Sequence, residues 1–215
     1  YKNKSVKAIM PVHLYGMPYK VNEIHSIAEK YGIPIIEDAA ESLGSTYKNQ
    51  NCGTFGEMAA LSFNGNKIIT TSGGGALVSN NINYINQARF FSTQARDKAP
   101  HYQHSEIGYN YRMSNIVAGI GRGQMKVLQK RVIQRRKNNF RYRQFFNEIP
   151  GIIFQSEPSI DYFSNFWLTT ILIDPLQTKG ISNEDVRLSL DASNIESRPL
   201  WKPMHMQPIY RGTKL

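Results

Sequence analysis

Cysteine is nearly absent from this 215-residue chain. Cys52 stands alone, which excludes an internal disulfide framework and a multi-cysteine metal site. Long hydrophobic runs are missing too: the longest apolar stretches span a few residues, as in Gly151-Ile152-Ile153-Phe154, too short for a membrane-spanning helix. The first ten residues, YKNKSVKAIM, lack an apolar signal core and an initiator methionine. What is present is globular, since 40% hydrophobic and 11% aromatic residues rule out a disordered or fibrous chain. The length suits one large domain, or one domain and part of a second. A cytoplasmic protein with no membrane partner is expected. Because a strand-like run, Val6–Val12, begins almost at once and RGTKL follows Trp201 without a closing element, a fragment of a longer protein is expected.

Acidic residues are scarce in one place above all. From Arg122 to Asn147 there are nine basic residues (Arg122, Lys126, Lys130, Arg131, Arg135, Arg136, Lys137, Arg141 and Arg143) and no acidic one, which accounts for nearly all of the formal net charge of +10. Apolar positions Ile116, Val117, Ile120, Val127, Leu128, Val132 and Phe140 fall at helical spacing, so one long amphipathic helix with a basic face is predicted. The stripe has two readings: a non-catalytic module that binds polyanions through the Arg122–Arg143 helix, or a solvated face whose acidic partners lie elsewhere. The second is favoured, and no nucleic-acid partner is expected, because no nucleic-acid module motif accompanies the charge. Gly119, Gly121 and Gly123 weaken the helix by about 1 kcal/mol each relative to alanine, and suggest close packing or a damaged helix.

The remaining pattern alternates. After the strand at 6–12, the spacing of Val21, Ile24, Ile27, Ala28 and Tyr31 predicts a helix stopped by Gly32, and Ile33–Ile36 reads as a second strand ending in Glu37-Asp38. Strand, helix and strand in succession form a βαβ unit and imply a parallel sheet, whose ligands sit beyond the carboxyl ends of the strands. Strands are predicted at 58–63 and 76–78, and a helix at 84–91. Pro150-Gly151 then breaks the pattern, and a domain boundary is expected between 148 and 149, with a smaller domain over 149–215.

Three segments stand out: Glu37-Asp38-Ala39-Ala40-Glu41, Ser62–Lys67 and Thr70–Gly75. Each has an ordinary explanation alone, as a cap, a solvated lysine or a flexible turn. Together they fit one chemistry. A lysine amine bonds to an aldehyde cofactor, a strand-end carboxylate pairs with the protonated ring nitrogen of pyridoxal phosphate, and hydroxyls with close backbone grip its phosphate. Lys67, Asp38 and Ser62 are the candidates.

The order EDAAE, GTFG, SFNGNK and TTSGGG, followed by GYNYRMSN, resembles the sugar-nucleotide aminotransferases of the DegT/DnrJ/EryC1/StrS family. STQAR, HYQH and RPLWKPMH resemble its bacillosamine and exopolysaccharide branch, which aminates UDP-4-keto-6-deoxy-N-acetylhexosamines. The resemblance implies an α/β fold of the pyridoxal-phosphate transferase type I, aspartate-aminotransferase-like. Its parallel sheet is flanked by helices, with residues 1–148 in the large cofactor-binding domain and 149–215 in part of a small α+β domain. It implies Lys67 as the Schiff-base lysine, Asp38 as the partner of the ring nitrogen, Glu41 beside the ring and Ser62 on the phosphate. Asn110 would reach the cofactor phosphate of a neighbouring subunit, making the active unit a homodimer. Arg112 and Arg198 would meet the phosphate or uridine of the nucleotide-sugar substrate, although a surface salt bridge is an equal reading for both. Glutamate is the implied amino donor. A Gly-Thr phosphate turn and a ring-stacking aromatic residue belong upstream of Tyr1 in this fold type, and a closing segment belongs after Leu215. Activity from this stretch alone is therefore not expected.

Overall fold

The computed structural model describes residues 6–212. They form two compact units: residues 6–140 with 156–169, and residues 141–155 with 170–212. The junction expected between 148 and 149 falls within 141–155, after which the chain re-enters the first unit.

In the first unit, α1 (Val21–Tyr31) buries Val21 and Ala28 and ends at Gly32, as predicted, whereas Ile27 and Tyr31 remain exposed. Next comes β1 (Ile36–Asp38). The segment before α1 lies parallel to it through single bridges, Ile9 to Ile35 and Val12 to Asp38. The strand predicted over 6–12 stops at these bridges for a physical reason. Ile9 and His13 donate to Pro34 and Asp38, but Pro11 between them has no N–H to continue the ladder. A hairpin of β2 (Thr46–Tyr47) and β3 (Gln50–Asn51) follows. Then β4 (Met58–Ser62) runs parallel to β1, and β5 (Gly75–Val78) pairs antiparallel to β4 at the edge. The sheet is thus parallel except for its last strand. Gly75 sits opposite Ser62, where a Cβ would lie 2.4 Å from the Leu61 carbonyl oxygen, so only glycine permits this pairing.

Asn81 caps α2 (Ile82–Ser92) by accepting the Asn83 N–H. The single helix predicted across the basic stripe is two: α3 (Asn115–Met125) and α4 (Leu128–Phe146). At the break, the Lys126 and Val127 N–H groups turn back to the carbonyls of Gly123 and Gln124. Three glycines within the preceding turns make this the weakest point of the run. Gly121 packs closely, its would-be Cβ 3.0 Å from the Thr71 methyl, while Gly119 and Gly123 face open space.

The core joins Tyr15, Ile68, Ile69, Leu128, Val132 and Trp167, with Leu43 and Phe63 against it. Each large apolar side chain buried here contributes about 1.5–3 kcal/mol. Tyr15 comes from before α1, Leu128 and Val132 from α4, and Trp167 from the returning segment, whose β7 (Tyr162–Phe163) pairs with β2.

In the second unit, β6 (Ile152–Phe154) and β8 (Ile171–Ile173) form an antiparallel pair. Helix α5 (Asn183–Ala192) starts with a reciprocal cap between Ser182 and Asp185. Arg143 donates to the Gln155 carbonyl and lies over the Phe154 ring. Among the described residues, no helix is long and apolar enough to cross a membrane.

Gly16 is the tightest point of the first unit. Its φ is +90°, its carbonyl accepts the hydroxyls of Ser45 and Ser164, and a Cβ there would lie 1.8 Å from Asn165 Oδ1. Gly16→Ala should cost about 2 kcal/mol or more, read as a lower urea midpoint at unchanged slope. An unshifted midpoint would contradict this packing.

Candidate active site

Strand alternation sorts the residues at the end of β1. Ile35, Glu37 and Ala39 point inward and are buried, while Asp38 on the opposite face is only half-buried. Glu37 is a fully buried carboxylate with four donors: Gly53 N–H (2.8 Å), Phe55 N–H (2.6 Å), Gly56 N–H (2.7 Å) and His13 Nε2 (2.8 Å). His13 Nδ1 accepts the Tyr19 N–H, so the ring proton lies on Nε2 and is donated to Glu37. Burial pushes the Glu37 carboxyl upward, but the bonds from His13, Gly56 and Gly53 together prevail and hold it below the usual carboxylate range. The strand end is thereby fixed, with the Ala40 N–H donating to Asp38 Oδ1 at 3.1 Å.

Lys67 lies in the turn after β4, its N–H donating to the Asn64 carbonyl. Its side chain is 11% exposed, with Nζ 3.5 Å from Glu41 Oε1 and 4.2 Å from the Trp167 ring centroid. The other Glu41 oxygen accepts the Tyr15 N–H at 2.6 Å. Burial pushes the Glu41 carboxyl above its ordinary value, and the charge of Asp38 adds to this. The Tyr15 N–H and Lys67 pull the other way without prevailing. Glu41 therefore feels both Asp38 and Lys67 and ties them into one cluster. Ser62 closes β4 at the base of the lysine turn, its hydroxyl accepting the Asn64 N–H.

The structure gathers Lys67, Glu41 and Asp38, with Ser62 at the start of the same turn. Asn110 and Arg112 make no hydrogen bond or ion pair with this cluster among the described residues, and are exposed on a strip bonded to the end of α2 through the Thr93–Asn110 bridge and the Tyr111 N–H to Ser92. Arg198 is exposed in the second unit and meets Glu196 at 2.8 Å. Within the basic stripe, Arg136 grips Glu157 (2.6 Å) and the Ser164 carbonyl and lies against Phe163 and Phe166, so part of the stripe braces its own unit. Among the described residues, no group of three or more His, Cys, Asp or Glu could hold a metal ion. The Cys52 thiol is buried and pushed up to about 12, first by burial and then by the Glu37 charge.

Sequence reasoning takes His13 as a structural histidine and assigns no role of their own to Glu37 and Trp167. His13 and Glu37 had a legible signal, since a carboxylate at an inward position of an apolar strand needs a buried partner. Trp167 lies 100 positions beyond Lys67, and no local pattern points to it.

The sequence model described as the DegT/DnrJ/EryC1/StrS aminotransferase family matches residues 2–215. EpsN of Bacillus subtilis (strain 168), named as a pyridoxal phosphate-dependent aminotransferase, is 52% identical over 95% of this chain and 51% of its own length. GDP-perosamine synthase of Escherichia coli O157:H7 is 36% identical over 95% of this chain and 54% of its own. The chain thus spans about half the length of these curated relatives. A crystal structure of a DegT DnrJ EryC1 StrS aminotransferase from Brucella abortus matches with a TM-score of 0.82 at 28% identity, covering 96% of this chain and 53% of that one. The α/β fold type follows from this match.

Because the Glu37 carboxyl is held low, its contribution to stability is complete above the unfolded carboxyl value of about 4.3 and is lost as pH falls through the folded one. Glu37→Gln should lose on the order of 3 kcal/mol at pH 7 and flatten the fall in stability below about pH 4.3, measured by urea unfolding across pH. An unchanged pH profile would refute the assignment.

Proposed function

The chain belongs to the DegT/DnrJ/EryC1/StrS aminotransferase family, and we propose that it serves a pyridoxal-phosphate transaminase that carries an amino group from glutamate to the 4-keto carbon of a nucleotide-linked 6-deoxy sugar. The observation that carries this reading is the lysine amine held against Glu41, which in turn feels Asp38, beyond the carboxyl ends of the parallel strands β1 and β4. An amine, an acid and a hydroxyl at one sheet end form the donor set that pyridoxal phosphate requires. When bound, the cofactor supplies an aldehyde that takes up amines and a ring that draws off electrons.

In this reading Lys67 Nζ would hold the cofactor and, when free of it, carry the proton. Asp38 would stabilise a protonated ring nitrogen, and Glu41 and the Ser62 hydroxyl would complete the set of groups that hold it. Asn110 reaches the phosphate in the partner subunit of a homodimer; its exposure on a strip of exposed tyrosines suits such a reach. Arg112 and Arg198 are proposed to grip the substrate's phosphates, for which a planar guanidinium is suited. The junction at 148/149 is proposed to divide the cofactor-binding domain from the small one. The motif resemblance favours UDP as the carrier, although GDP is the carrier in the name of one relative. The product would feed glycan or exopolysaccharide synthesis. The reaction is proposed to run in the cytoplasm, a reducing compartment that a single buried thiol suits.

Borohydride reduction with added pyridoxal phosphate, followed by peptide mapping, should place the label on Lys67 within residues 64–71. In the full-length protein, Lys67→Ala should lower ketosugar amination by 10²–10⁴-fold or more, on the order expected for a group that transfers the proton. Label elsewhere, or normal amination by Lys67→Ala, would overturn the reading. Comparing kcat/KM for UDP- and GDP-linked ketosugars decides the carrier.

A further inference from the structure

Trp167 has no role in the chemistry above, yet it touches the lysine turn twice, once at Asn66 and once at Lys67. Its indole N–H donates to the carbonyl of Asn66, the residue before Lys67, at 2.8 Å. Its ring face lies 4.2 Å from Lys67 Nζ, on an ammonium that also meets Glu41. Its own position is tightly determined, because the Trp167 N–H donates to Asn165 Oδ1 (2.8 Å) while Asn165 Nδ2 donates to the Glu41 carbonyl (2.9 Å). The same asparagine thus sets both the ring and the backbone of Glu41.

We propose that Trp167 is a positioning residue for Lys67: its N–H fixes the backbone before the lysine, and its face, with Glu41, docks the Nζ ammonium whenever that nitrogen is not bonded to the cofactor. The proposal rests on the reading of Lys67 as the cofactor-bonding lysine. In a transamination this amine is released and must be recaptured each cycle. A free lysine on four flexible bonds would otherwise wander from the reacting carbon. An electron-rich indole face opposite a carboxylate gives it one resting place without a covalent bond.

Fluorination tests this without changing the shape of the ring. Tryptophan carrying one, two or four ring fluorines is incorporated into the Trp201→Phe protein, so that Trp167 alone carries the substitution, and the cofactor is stripped and then re-added. Fluorine drains the face of electron density and keeps the N–H donor. Uptake of pyridoxal phosphate draws on the neutral, undocked amine, so borohydride-trapped uptake at Lys67 should accelerate stepwise, by about threefold to tenfold at four fluorines. The thermal midpoint should stay constant across the series. Uptake that is flat while the label still falls on Lys67 overturns the role of Trp167 alone. A midpoint falling in step with fluorination, with uptake unchanged, marks a purely structural tryptophan and also overturns it. Label away from Lys67 in the unfluorinated protein defeats the lysine reading itself.

Discussion

A carboxylate removed entirely from water needs a donor for nearly every lone pair, and Glu37 obtains four. They come from His13 on the segment ahead of α1 and from the 53–56 turn ahead of β4, so a single charge binds two stretches to a three-residue strand. Ladder bonds to Pro11 and His13 hold Asp38 itself, and the buried ion adds a second anchor one residue earlier, which Asp38 and the 39–41 turn share. Removing any one donor leaves part of a buried charge unpaired, which costs stability.

A second polar node secures the other side of the lysine. Asn165 uses its amide N–H groups on the carbonyls of Glu41 and Leu43 and its oxygen on Trp167, and its backbone N–H donates to the Ser45 hydroxyl. Here the close approach of Gly16 is unavoidable, since the asparagine oxygen occupies the space a side chain would take. The apolar core around Ile68, Ile69 and Trp167 lies directly behind the lysine turn. Lys67 Nζ therefore sits on packing that water scarcely reaches.

Much of this was legible in the sequence, and the rest was not for identifiable reasons. Helix α1 and strands β4 and β5 follow from local spacing, which pattern reading captures; Lys67 and Asp38 stand out by residue type at strand ends, whereas Glu41 is marked only by the family resemblance. The break at Lys126-Val127 was foreshadowed by three glycines, but the apolar positions on either side stay in phase, so periodicity alone ran through it. Glu37 carried its signal in the alternation Ile35, Glu37, Ala39. Trp167 and Asn165 carried none, because their meaning comes from a chain closure across some hundred residues, which neither composition nor spacing encodes. Arg136 illustrates the same limit: its acidic partner, Glu157, lies 21 positions on, outside the stripe that made it look unpaired.

The solitary thiol has a practical side. Buried and held protonated by its surroundings, Cys52 is mute toward maleimides and other thiol-seeking reagents while the fold is intact. A second cysteine introduced at an exposed position would be the molecule's sole reactive handle. Spectroscopic probes could then be attached one at a time, for distance or dynamics measurements, with the native residue left in place.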